Sequence, residues 1–254
     1  MSNFGFLNAH QTIGKMSRIL FFAALCFTLI SNSYAQDKKV AVVTFYAVKK
    51  INMAGSKGGD ESVARLANDT SFNLAPVLRL FHDQFFADYA RNFSFDVLPE
   101  KQVLTNRDYK DFLADRGPVT DILNSHTEQP AKGYQVILPL KKHDNEISLV
   151  KMFDGCDGVM KVYLDFDMDK RAFGNAALVK VIANANIALF NKNGDMVFSL
   201  KRSAMSKISG AQVAGIPFMV PRKVLPLCES ATTELLAALD KEMPALVKNA
   251  GTKL

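Results

Sequence analysis

The chain has no tryptophan, and only three cysteines, nine prolines and fourteen glycines are spread over its 254 residues. So few cysteines exclude a disulfide-built miniprotein, and so little glycine and proline exclude a collagen-like chain. Charged residues make up 22% and hydrophobic ones 48%, a balance that excludes intrinsic disorder and supplies ample core. Local catalytic signatures are missing as well. His82, His126 and His143 stand in neither an HExxH nor a metal-ligand spacing, and no GxSxG elbow occurs. The glycine-bearing stretch 52–60 lacks the order of a phosphate loop, because Lys57 precedes its glycine pair instead of following one. It reads as a surface loop.

Long apolar runs are also absent. The run Ile19–Ile30 stops after twelve residues. As a helix it would rise about 18 Å, short of the roughly 30 Å of a bilayer core. Arg18 before it and Ser33 and Ala35 after it predict a secretory signal over residues 1–35, cleaved before Gln36, with Met16 as an alternative start. Cys26 follows Ala23-Ala24-Leu25, which is not the setting of a lipidated cysteine. The expected location is therefore the periplasm, with association to the outer membrane left open, and no membrane span is expected in the mature chain. Two of the 31 basic residues, Lys15 and Arg18, and none of the 25 acids fall within the signal, so residues 36–254 carry a net charge of +4. The basic pairs are dispersed among acids, and export makes nucleic acid an unsuitable partner. Cys156 and Cys228 remain after cleavage. In an oxidising compartment they can form one disulfide, or both can serve as small core residues.

The mature chain predicts a single α/β domain over 36–254. Its sheet is mixed, parallel at the start and an antiparallel meander at the end, and it is flanked by helices. Lys39–Val48 is apolar on both faces, as a central strand requires. Val77, Phe81, Phe85 and Tyr89 recur every four residues and predict a helix over 74–91, with Asn73 as its cap. His82 lies beside that stripe as a boundary residue. A short strand over 93–98, a helix from a Thr105/Asp108 capping box through Leu113, a polar loop over 124–133, a strand over 134–138 and a helix over 146–153 follow.

Period-two alternation then marks strands over 160–168, 177–189 and 196–203, and Asn193-Gly194 predicts a two-residue hairpin turn between the last two. Residues 206–221 read as loop. Val224, Cys228, Ala231, Leu235, Leu239, Met243 and Leu246 form the stripe of a final helix, with Pro244 kinking or ending it.

This order, opening on Lys38-Lys39-Val40-Ala41-Val42-Val43-Thr44-Phe45 and returning through Cys156-Asp157-Gly158-Val159-Met160-Lys161-Val162, resembles the periplasmic α/β domain of the TolB N-terminal and curli-secretion (CsgG-type) group. The resemblance spans most of residues 38–248. It implies a non-catalytic envelope module that docks onto other envelope proteins or associates with itself. Curli pore proteins are lipidated and carry extra membrane-spanning hairpins. This chain has neither feature, so pore formation and site residues are not carried over.

Asp165, Asp167 and Asp169 step about 6.7 Å apart along one side of a strand. Calcium ligands curl around their ion, so a solvated strand face is expected instead. No metal, cofactor or catalytic residue is assigned. The apolar segment 210–221 departs from the polarity of a loop. Ile216, Phe218, Met219 and Val220 form either a partner-contact patch or core beneath the last helix. The leading expectation is an exported binding or assembly module that is not an enzyme. The alternatives are an envelope hydrolase built around a histidine from distant parts of the chain, and a small-ligand carrier with an apolar cavity of several hundred Å³.

Overall fold

A mixed β-sheet with helices on both faces organises the chain. The computed structural model describes residues 38–53, 61–114, 127–138, 144–174, 176–213 and 218–254, and residues 38–254 group as one compact unit. The expected signal over 1–35, His126, His143, Lys57 and Ile216 lie outside the described residues. Among the described residues no helix is long and apolar enough to cross a membrane.

The strands are β1 (Lys39–Val48), β2 (Asn52–Met53), β3 (Asp96–Val97), β4 (Glu128–Pro130), β5 (Gly158–Phe173), β6 (Ala176–Asn191), β7 (Met196–Met205) and β8 (Gly210–Val213). Along the main path the order is β3-β1-β5-β6-β7. β1 runs parallel to β3 and β5, whereas β5, β6 and β7 are antiparallel, so the sheet is mixed in the expected sense. The helices are α1 (Glu61–Asn68), α2 (Ala75–Gln84), α3 (Glu100–Thr105), α4 (Arg107–Asp111), α5 (Asp144–Met152) and α6 (Pro221–Leu246).

Two cores sit on opposite faces. Alternate residues of β5 and β6 (Met160, Val162, Leu164 and Phe166; Val179, Val181, Ala183 and Ala185) meet α2 and α6 on the first. Phe81, Phe85 and Tyr89 belong to this core, and each such buried aromatic contributes about 1.5–3 kcal/mol. The second core is smaller. Ala41, Val43 and Val159 meet Val103, Tyr109, Leu149 and Phe153 from α3, α4 and α5 and the turn after α5. β1 serves both cores through a register shift between Val42 and Thr44. The extra residue, Val43, lets Val42 and Phe45 face the same core although they are three positions apart.

Several local expectations are corrected. The helix over 74–91 is α2 continued by a widened π-type turn at Phe85–Tyr89 and a 3-10 turn at Ala90–Asn92. Asn73 supports its start by accepting a hydrogen bond from the Ala75 N–H at 2.9 Å. The helix expected from Thr105 through Leu113 is the shorter α4, capped by Asn106, whose side chain accepts from the Tyr109 N–H at 3.0 Å, while Thr105 ends the preceding α3. Of residues 93–98 only Asp96 and Val97 pair as strand, while Phe93 and Phe95 turn into the first core.

Residues 134–138 form no ladder. Hydroxyls hold them: Thr44 Oγ1 donates to the Gln135 carbonyl at 2.6 Å and accepts from the Ile137 N–H at 3.2 Å, and Tyr109 Oη accepts from the Gln135 N–H at 3.0 Å. The neighbouring strand is β4, in the stretch that reads as polar loop. α1 and β8 also occupy stretches without an expected element. The β6–β7 hairpin is present with Gly194 at φ +80°, but its connection spans residues 192–195 instead of two residues. α6 runs through Pro244 to Leu246, so Pro244, which has no N–H to donate to the preceding turn, falls inside the last turn and the helix ends two residues after it.

Cys156 and Cys228 are free and buried. Cys228 packs in the first core and Cys156 in the second, with the sheet between them, so the disulfide alternative gives way to the core reading. Burial pushes the Cys156 thiol up to about 11, with Asp157 adding to it, and burial raises Cys228 as well.

Candidate functional site

The helical spacing of α2 sets Ala75, Leu78, Arg79 and His82 on one face, and Asp83 adjoins it. Across from them α3 presents Glu100 and Leu104, four residues apart, and the chain leaving β4 presents Pro130, Ala131 and Lys132. Together these residues line a cavity of about 570 Å³. Leu78 and Leu104 supply apolar wall, and the charged groups gather around His82.

The His82 side chain is 17% exposed and lies between two carboxylates. Nε2 is 2.7 Å from Glu100 Oε1, and Nδ1 is 3.1 Å from Asp83 Oδ1. The ring is clamped edgewise against Phe45, with centroids 5.0 Å apart, and tilted against Phe86 at 4.9 Å. Tyr134 lies behind it at 6.1 Å. The buried Tyr134 hydroxyl has no hydrogen bond of good geometry, although it is close enough to Glu100 to feel its charge. Burial first, and the Glu100 charge second, push that hydroxyl far above the usual tyrosine value. His82 is thus a half-buried boundary residue beside the aromatic stripe, as expected, with its ring clamped and both nitrogens facing carboxylates.

A base in nucleophilic catalysis needs one ring nitrogen on its orienting carboxylate and the other on a hydroxyl or thiol. Here both nitrogens face carboxylates, and no serine, threonine or cysteine lines the cavity. The expected absence of local catalytic signatures is corrected at one point: Ser148 and Lys151 in α5 form a Ser-x-x-Lys spacing. Both residues are exposed on the outer side of that helix.

A second hollow, of about 460 Å³, bears on the apolar segment 210–221. Met219 and Val220 line it half-buried, opposite Ser62, Arg65, Leu66 and Asp69 on and after α1. Phe218 also borders it but is only 4% exposed and belongs to the first core, where a Cβ on Gly210 would approach its ring to 2.7 Å. The structure therefore splits the four candidate residues. Phe218 is core, Met219 and Val220 border a groove, and Ile216 is outside the described residues.

The aspartates of β5 share the sheet's second face with an amide row. Asn184 Nδ2 donates to Asp165 Oδ1 at 2.6 Å and to Asp167 Oδ2 at 2.7 Å, and its Oδ1 accepts from Ser203 Oγ at 2.5 Å. Asn186 donates to Asp165 at 2.7 Å and Asn52 to Asp167 at 3.0 Å. Asn184 is 1% exposed, so this is a tied polar ladder and not a freely solvated face. Among the described residues, no three acids, histidines or cysteines come together as a metal-binding group.

No protein-family model matches the chain, and no curated protein matches it. Solved structures similar to it include a neuraminyllactose-binding hemagglutinin homolog from Helicobacter pylori, 10% identical, with 86% of this chain and 91% of that one covered at a TM-score of 0.32. Lipoprotein GNA1162 from Neisseria meningitidis is 11% identical, covering 79% and 99% at a TM-score of 0.27. The protein CT253 from Chlamydia trachomatis is 10% identical, covering 82% and 99% at a TM-score of 0.30. All three scores fall below one half, so what these proteins do is not transferred to this chain.

Proposed function

We propose that this chain is an exported module of the cell envelope that binds or assembles with other envelope proteins, or with itself, and catalyses nothing. The commitment of His82 carries the reading. The one histidine among the described residues has both ring nitrogens on carboxylates, in a cavity without a nucleophile. That arrangement suits positioning a ligand and leaves no acceptor for a nucleophile's proton. Support also comes from the signal-like residues 1–35, from the sequence pattern that resembles the TolB N-terminal and curli-secretion group, and from Met219 and Val220 at a groove edge.

The test combines fractionation of cells expressing the full chain, light scattering of the purified protein and capture from envelope extract. A chain shortened at Ala35, found in the periplasm and either oligomeric or retaining a defined envelope protein, is expected. A chain retained in the cytoplasm, or a strict monomer that captures nothing, overturns the reading.

The cavity of about 570 Å³ beside His82 favours a second reading, a small-ligand carrier. Its size falls within the roughly 300–1,000 Å³ of ligand pockets, and much of its wall is apolar.

A further inference from the structure

We propose that the cavity beside His82 binds a small amphiphilic anion, an organic carboxylate with a short hydrocarbon body, whose head is held by Arg79 and Lys132. The inference rests on the small-ligand reading above and names the class of ligand.

The pairing of charges inside the cavity carries the argument. Five ionisable groups line it: Arg79, His82, Asp83, Glu100 and Lys132. Both acids are already engaged, each by one nitrogen of His82. The side chains of Arg79 and Lys132 make no ion pair or hydrogen bond with the described residues. Arg79 and Lys132 are therefore the lining charges without an ion-pair or hydrogen-bond partner among the described residues, and both are exposed at the edge of the cavity.

A cationic ligand would have to share both carboxylates with the imidazole. An anion meets two free cations, one of them a guanidinium that can grip a carboxylate with two parallel N–H donors.

The rest of the wall selects against a bare anion. Leu104, Ala75 and Ala131 offer hydrocarbon surface to the ligand body. Burying each methylene there is worth about 0.8 kcal/mol. The clamp of Phe45, Phe86 and Glu100 keeps the His82 ring fixed as a floor, so the site needs little reorganisation on binding.

Hexanoate, hexanol and inorganic phosphate are the probes, added to the purified full-length chain while the His82 ring resonances are followed by NMR. Hexanoate is expected to shift them saturably, with hexanol and phosphate at least about tenfold weaker. The double variant Arg79→Gln/Lys132→Gln should weaken hexanoate by about tenfold or more. Both cations are exposed, so its unfolding midpoint should match the parent's. Three results overturn the proposal: no saturable shift with hexanoate, equal affinity in the double variant, or hexanol or phosphate binding as tightly as hexanoate. A chain that reaches the periplasm yet ignores hexanoate rejects this site and leaves the envelope reading standing. A chain that binds hexanoate yet remains cytoplasmic does the reverse.

Discussion

Lys161 Nζ lies 2.5 Å from Glu146 Oε1, and each side chain is 1% exposed. The ammonium also donates to the Leu138 carbonyl at 2.9 Å and stands 5.3 Å from the centre of the Phe190 ring. Burial lowers the Lys161 pKa, and the Glu146 carboxylate opposes that shift. The pair joins α5 to β5 across the second core, where taking either charge from water is expensive without the other.

Removing one partner should therefore cost more than removing both. Lys161→Met or Glu146→Leu alone is expected to destabilise by about 3–5 kcal/mol, because each leaves a buried charge uncompensated. The double variant Lys161→Met/Glu146→Leu should recover most of the loss. Urea midpoints of the four proteins, compared as a thermodynamic cycle, check this, and a double variant as weak as the sum of the singles would contradict it.

Phe218 and Met219 are neighbours with different roles. Phe218→Ala empties a core position and should lower stability by about 3–5 kcal/mol. Met219→Ala, at the half-buried edge of the groove, should cost under about 1 kcal/mol and act on partner capture instead. Thermal unfolding and envelope capture, measured on both variants, separate the two effects. Equal losses of stability would mean that Met219 is core as well.

The thiols offer a chemical check on the two-core arrangement. In the native chain Cys156 and Cys228 should resist iodoacetamide, because both are buried and burial keeps both protonated. After denaturation without reductant, both should alkylate fully. A peptide pair linking Cys156 to Cys228 by mass spectrometry would show that the sheet does not separate them.

Asp157 predicts a pH effect. Burial raises its pKa, but hydrogen bonds from the Lys192 side chain and the Lys39 N–H, together with the Lys192 charge, outweigh this and bring it below the usual 3.8. A carboxyl held lower in the folded than in the unfolded chain binds fewer protons when folded. Its stabilisation is fully present above the unfolded value and is lost as pH falls through the folded one. Acid unfolding below about pH 4 should therefore be shallower in Asp157→Asn than in the parent. Circular dichroism followed from pH 5 to pH 2 measures it, and superimposable curves would remove Asp157 from the account.

The sequence by itself determined the elements whose signal is local. Alternation through Met160–Met168 and Ala177–Leu189 made the long antiparallel pair legible, because each residue's face follows from its neighbour's. The four-residue recurrence of Val77, Phe81, Phe85 and Tyr89 did the same for the helical stretch around α2.

Tertiary structure alone decided what depends on residues far apart in the chain. His82 and Glu100 are eighteen positions apart, and no spacing rule links them. Lys161 occupies a position that alternation assigns to the wet face, yet α5 covers it and supplies its counter-charge. Thr44, inside an apolar strand, holds residues 135–137 with its hydroxyl because the shift at Val43 reverses the faces of β1 there. Cys156 and Cys228 read alike in the chain and end on opposite sides of the sheet. Periodicity tells a side chain which way to point relative to its own strand or helix, but only packing decides what it meets there.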